Sequence, residues 1–396
     1  MDKKWLFLAV LIAIGLLAAV EFLQSPPAVE GFPPTLVRGP WTSVVGDAVI
    51  VSFQLDPAMG GEVRYGKEDE QPVDAVPFAP AEGPTHVELT GLEPNTRYVY
   101  RLALADGSLT PLGRFVTPPE GFVPFTFLVY GDTRTFYDRH RLVADRMAEE
   151  DAVFVVHTGD LIESPMGAEW DAFFASGRRL FLSAPLFPVL GNHERNSLSY
   201  YKLFELPGGG GKKGEQWWSF RWGDVLFVGL DSNTQYLQFT GLREETAWLR
   251  EVLSQDARFK FVFFHHPLYS SDPYYGGNEG LAKLWHPIFV EAGVDIVFCG
   301  HVHAYEHIVR DGVHYVTTGG GGAPAYPLGE PVEGSVFTAQ FVLHYMRVRV
   351  GADAVEVEMV PVAEVPPGEE EGDVVPLKGT PLERFTVEAR APVPQP

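Results

Sequence analysis

Residues 295–307 read DIVFCGHVHAYEH. The apolar run from Ile296 to Cys299 follows a segment of helical spacing, AKLWHPIFVEAG (282–293), and stops at Gly300. An apolar run this short, set between helix-like sequence and a glycine turn, reads as a buried strand. Its end is chemical: His301 and His303, then His307. In extended chain, residues two apart point to one side. His301 and His303 are therefore either two ligands of one site or polar residues of a turn.

The same arrangement recurs along the chain. FTFLVYGD (125–132) leads to a helical segment, RHRLVADRMAEE (139–150), and AVFVVHTGD (152–160) to another, EWDAFFASGRRLF (169–181). PLFPVLGNHE (185–194) and DVLFVGLDSN (224–233) end two more strands, and LREETAWLREVLS (242–254) precedes KFVFFHHP (260–267). Strands alternating with helices define a layered α/β domain. Upstream, AVIVSFQL, GEVRYG, THVELTGL and TRYVYRLAL succeed one another with turn residues between them and no helical period, the pattern of an antiparallel sandwich. The expected fold class is an α+β multidomain protein: a small N-terminal antiparallel β-sandwich over 33–119, then a layered α/β domain with central mixed sheets over 123–362. Residues 363–396 read as a C-terminal extension and tail, with LERFTVEAR (382–390) as a last strand.

Composition narrows the partners. With 30 Lys+Arg against 52 Asp+Glu in 396 residues the formal charge is -22, which argues against a nucleic-acid-binding surface. An anionic substrate would be repelled at long range and would need a local positive charge. Cys299 is the one cysteine, so no intrachain disulfide forms. At the N-terminus Lys3 and Lys4 precede an uncharged apolar stretch, Trp5 to Val20, then Glu21. That is the layout of an export signal or a retained membrane anchor over 1–24, and it implies an extracytoplasmic, secreted or anchored protein.

Every strand of the second domain ends in a polar cluster: Asp132, Asp160, Asn192 with His193, His265 with His266, and His301 with His303. Ligands of open α/β sheets bind outside the carboxyl ends of the strands, so these clusters converge on one edge. Each offers Asp, Asn or His and none a thiolate, a mixture suited to Fe, Mn or Zn. Taken singly, Asp132, Asp160 and Asn192 are equally good turn residues.

GDTR (131–134), GDLIE (159–163), GNHE (191–194), HHP (265–267) and GHVH (300–303) stand in the order of the five blocks of the calcineurin-like metallophosphoesterases, which this chain resembles. The preceding sandwich, with its fibronectin-III-like phrase LEPNTRYVYRL (92–102), and YVTTGGGGAPAY (315–326) resemble the purple acid phosphatases in particular. The resemblance implies two metal ions bridged by Asp160. Asn192, His265 and His301 would complete one set of protein ligands, and Asp132 and His303 the other. His193 would protonate the leaving alkoxide or stabilise phosphoryl charge. His266 falls behind His265, His307 has no block role, and Asp231 and Asn233 read as structural support. Arg134 would bind phosphate or pair with a local acid. The family's purple colour comes from a tyrosinate three residues after the bridging Asp; here that position is Glu163, either a carboxylate substitute or a solvated side chain.

The implied activity is hydrolysis of small phosphate monoesters by metal-activated water. The alternatives are a phosphodiesterase on the same centre and a non-catalytic surface-binding protein.

Overall fold

The computed structural model describes residues 31–367 and 373–389. The expected export signal or anchor lies outside the described residues, as does the last of the tail. Among the described residues no helix is long and apolar enough to cross a membrane.

Residues 36–116 form two antiparallel sheets. Leu36–Val45, Ala48–Leu55 and Pro84–Leu89 make one; Asp74–Phe78, Gly61–Lys67, Arg97–Leu104 and Gly113–Val116 make the other. Alternate residues turn inward, as the period of two requires: Val49, Val51 and Phe53 from one sheet are fully buried, with Val63, Tyr100 and Leu102 from the other. The sandwich rests on the larger domain. Trp41 stacks on Phe174 with ring centroids 4.2 Å apart, and Arg38 Nε donates to Asp171 at 2.6 Å.

The larger domain is two mixed sheets packed face to face. In the first, Leu186–Pro188, Val155–His157 and Phe125–Tyr130 run parallel, and Val342–Val350 and Ala354–Glu364 extend it antiparallel. In the second, Val225–Gly229, Lys260–Phe263, Ile296–Cys299 and Val313–Thr318 run parallel. Phenylalanines fill the space between them. Phe127 of the first sheet meets Phe227 and Phe261 of the second edge-on at 5.2 Å, a favoured aromatic geometry. Inner-face rings of this size hold the sheets at a fixed separation, so the carboxyl ends of both parallel sets open on one edge.

Local detail departs from the sequence pattern in places. The helix expected over 169–181 is two, Gly167–Ser176 and Arg178–Ser183, broken at Gly177. A side chain there would run into the Phe181 ring. Trp217–Trp222 and Tyr305–Arg310 are strands that the pattern had not marked. The last strand expected at LERFTVEAR (382–390) is present as Glu383–Glu388, which pairs along Ala354–Met359.

Candidate metal centre

Six side chains from five strand ends, Asp160 at their middle, gather at one edge of the domain. Asp160 Oδ1 lies 3.3 Å from His265 Nε2, and that nitrogen lies 3.1 Å from Asn192 Oδ1 and 3.2 Å from His301 Nδ1. On the other side Asp132, Asp160 and His303 place one ligand atom each within 4.8 Å of one another, with His303 Nε2 3.5 Å from Asp132 Oδ1. Asp160 thus faces both groups. His266 also brings a ring nitrogen within 4.8 Å of those of His265 and His301, although its Nδ1 is bonded to the Ser232 hydroxyl at 2.8 Å.

The donor set suits cations. His265 donates from Nδ1 to the Thr158 carbonyl at 2.9 Å, and His303 from Nδ1 to the Pro324 carbonyl at 2.6 Å. Each is left with a lone pair on Nε2, the arrangement that metal-bound histidines show. Around His265 Nε2 stand the Asn192 and Asp160 side-chain oxygens, both acceptors, and a ring nitrogen of His301. Such a ring of lone pairs repels itself unless a positive charge sits within it. In the metal-free protein a proton takes that place: burial works to lower the His265 pKa, but Asp160 and Asp132 lift it to about 9. Burial would likewise raise the Asp160 carboxyl, yet His265 and His193 carry it far below the usual carboxylate range. His301 falls to about 2 through burial and the neighbouring His265 and His266, which outweigh the upward pull of Asp160. The residues fit two cations.

The backbone is bent to make this geometry. Asp132, Asp160 and His301 have φ of 59°, 54° and 70°, a left-handed conformation that costs a non-glycine residue about 1–2 kcal/mol. Hydrogen bonds offset the cost. The His301 amide donates to both Asp132 carboxylate oxygens at 3.0 Å, and the His193 amide to Asp160 Oδ1 at 3.0 Å. Glycine is required beside them: a side chain at Gly191 would strike the Asp160 carboxylate, and one at Gly300 the Asp132 carboxylate.

His193 sits at the rim. Its Nδ1 donates to the Glu163 carbonyl at 2.7 Å, and its Nε2 lies 3.8 Å from Asp160 Oδ2. Glu163 does not join the Asp132–Asp160–His303 group; its Oε2 accepts from Arg134 Nη1 and from the Thr135 hydroxyl, each at 2.6 Å. Arg134 therefore pairs with local acids, Glu163 and, at 3.5 Å, Asp160. Tyr326 lies over His303 with ring centroids 4.7 Å apart, but its hydroxyl donates to the His301 carbonyl at 2.7 Å. His307 is elsewhere, bonded to Glu383 and to His314, each at 2.9 Å.

Glu194 is a residue that the sequence reading passed over. Its fully buried carboxylate accepts from the amides of Gly191 at 2.7 Å, Asp160 at 3.0 Å and Leu161 at 2.9 Å, and so ties two ligand loops together. Burial and the nearby Asp160 push its pKa up to about 8 against the pull of those amides. The available signal was its place as the fourth residue of GNHE, directly after two functional residues. Asn233 adds a second tie, donating from Nδ2 to the Gly191 carbonyl at 3.0 Å.

Residues 125–305 match the family model for the calcineurin-like phosphoesterases, so this part of the chain is a calcineurin-like metallophosphoesterase domain. Among curated relatives, a purple acid phosphatase of Glycine max is 28% identical over 327 residues, 73% of this chain and 69% of its own. An uncharacterized protein of Mycobacterium tuberculosis is 28% identical over 264 residues, 56% of this chain; the match spans 50% of that relative's length. The solved structure of a purple acid phosphatase from yellow lupin seeds superposes with a TM-score of 0.71 at 16% identity, covering 89% of this chain and 74% of that one. The two share a fold. Beyond the matched domain, the chain is similar to purple acid phosphatases in sequence and in fold.

Proposed function

We propose that this chain is an exported phosphatase that hydrolyses small phosphate monoesters at a dinuclear centre of Fe, Mn or Zn. One observation carries the reading: acceptor atoms of Asp132, Asp160, Asn192, His265, His301 and His303 converge in two groups that share Asp160. Two bound cations would neutralise phosphoryl charge and make a nucleophile of bound water at moderate pH.

The chain's own part follows from its hydrogen bonds. Asp160 and Asp132 supply the negative charge that holds the cations, and Asn192, His265, His301 and His303 supply neutral donors. His265 and His303 are fixed in orientation by the carbonyls of Thr158 and Pro324. His193 gives Nδ1–H to the Glu163 carbonyl, which leaves Nε2 as the atom that carries or releases a proton at the rim. Nε2 lies 3.8 Å from Asp160 Oδ2, at the edge of the centre where a proton on it is placed to reach the departing alkoxide. Export rests on the basic residues and apolar stretch over 1–24.

The test is metal analysis of protein purified without added metal, with turnover of p-nitrophenyl phosphate and of the bis-ester. Two metals per chain and faster monoester turnover support the proposal. Preference for the bis-ester would make it a phosphodiesterase. No bound metal and no turnover would leave a non-catalytic surface-binding protein.

A further inference from the structure

Arg134 and Glu163 stand at the centre without belonging to either group of ligands. The Arg134 side chain is 17% exposed. Its Nη1 is held by Glu163 Oε2 at 2.6 Å, while its buried Nε has no hydrogen-bond partner; Asp160 Oδ2 lies 3.5 Å from Nε. His193 Nε2 lies 3.8 Å from that same oxygen. The guanidinium and the imidazole therefore flank one edge of the shared carboxylate. A single residue holds both, Glu163: its carboxylate binds Arg134 through Oε2 and its backbone carbonyl binds His193, whose Nδ1 also lies 3.5 Å from Oε1. Glu163 is itself anchored, by the Thr135 hydroxyl at 2.6 Å and through its amide to Glu169 Oε2 at 3.4 Å.

This arrangement has a physical purpose. A guanidinium is a planar fork that matches the oxygens of a phosphoryl group. In a chain of charge -22, a fixed cation at the centre is the local attraction an anionic substrate needs. Left free, Arg134 would close onto Asp160 and compete with bound cations for that carboxylate. Holding Nη1 on Glu163 prevents the collapse and leaves Nε beside the carboxylate edge that His193 also flanks. We propose that Arg134 binds the phosphoryl group of the substrate and that Glu163 is the positioning residue that aims it, rather than a metal ligand. The proposal deepens the phosphoesterase reading and rests on it.

The experiment measures inorganic phosphate binding to the Mn(II)-loaded full-length chain by calorimetry, with metal content and p-nitrophenyl phosphate kinetics alongside. Arg134→Ala should weaken phosphate binding and raise KM by roughly 10–100-fold, the scale of a lost charge-assisted hydrogen bond, with two metals retained. Arg134→Lys, which keeps the charge and loses the fork, should fall between. Glu163→Gln should lose about 3–10-fold in phosphate affinity, the scale of a weakened ion pair, and nothing further in the Arg134→Ala background, because Glu163 acts through Arg134. Phosphate affinity of Arg134→Ala within twofold of wild type would overturn the proposal. So would a Glu163→Gln loss that persists without Arg134, or loss of metal in Glu163→Gln, which would make Glu163 a ligand. Absence of metal and turnover in the wild-type chain would instead sink the phosphoesterase reading beneath it.

Discussion

Glu194→Gln tests how the ligand loops are held while leaving every candidate ligand in place. The two carboxylate oxygens divide the work: Oε2 accepts from the amides of Gly191 and Asp160, and Oε1 from that of Leu161. Glutamine keeps one acceptor and turns an NH2 toward the remaining amides. Placed on the Oε2 side, that NH2 removes two hydrogen bonds to a carboxylate at about 1.5–3 kcal/mol each, so the metal-free protein should lose about 3–6 kcal/mol of stability. Placed on the other side, it spares those two bonds and loses that to Leu161, and about 1.5–3 kcal/mol is the lower bound. Because the Asp160 amide is one of the tethers, the shared carboxylate also loosens. Metal affinity should fall by roughly 10–100-fold, as for other groups that orient ligands. Urea unfolding of the metal-free variant at about pH 9, where Glu194 with its pKa of about 8 is ionised, reads the first number, and calorimetric Mn(II) titration the second. A variant that unfolds within 0.5 kcal/mol of wild type and binds metal equally well would refute the idea that Glu194 holds these loops.

Asp160→Ala should abolish turnover and remove metal from both positions, because this carboxylate faces both groups; two metals and near-native turnover, by elemental analysis and assay, would contradict the shared role. For His193→Ala the metal content should stay normal, since its contact with Asp160 Oδ1 is through the backbone amide. Its kcat should fall by roughly 10²–10⁴ for alkyl phosphates and less for nitrophenyl phosphate, whose leaving group needs little protonation; equal losses would remove the general-acid role. Loaded with iron under air, the protein should show no intense tyrosinate band in its visible spectrum. Glu163 occupies the tyrosine position, and the Tyr326 hydroxyl, raised far above its ordinary pKa by burial and Asp132, is committed to the His301 carbonyl. Appearance of such a band would show a tyrosine entering the ligand set.

The sequence by itself carried the elements and the chemistry of the centre. Period-two and period-3.6 patterns are local, so the sandwich strands and the alternation of strand and helix could be read from single segments. The candidate ligands stood in plain view because parallel strands are apolar and their ends are polar, so Asp132, Asp160, Asn192, His265, His301 and His303 each mark a boundary. Convergence within each set also followed, since parallel strands of one sheet end on one edge; the packing of the two sheets brought the Asp132–Asp160–Asn192 set and the His265–His301–His303 set together. Only the tertiary structure decided what depends on contacts between segments far apart in the chain. The Phe181 ring leaves room only for glycine at the helix break at Gly177, and pairing with Ala354–Met359 fixes the place of the last strand, Glu383–Glu388, in its sheet. His307, within the strand Tyr305–Arg310, lies away from the centre and pairs with Glu383, 76 residues later. Glu194 looked like an ordinary loop acid until folding brought the Asp160 and Leu161 amides onto it. Glu163 was undecided between ligand and solvent until Arg134, 29 residues earlier, claimed its carboxylate. Residue type states what a side chain is able to do; the partner that folding places beside it selects which of those things it does.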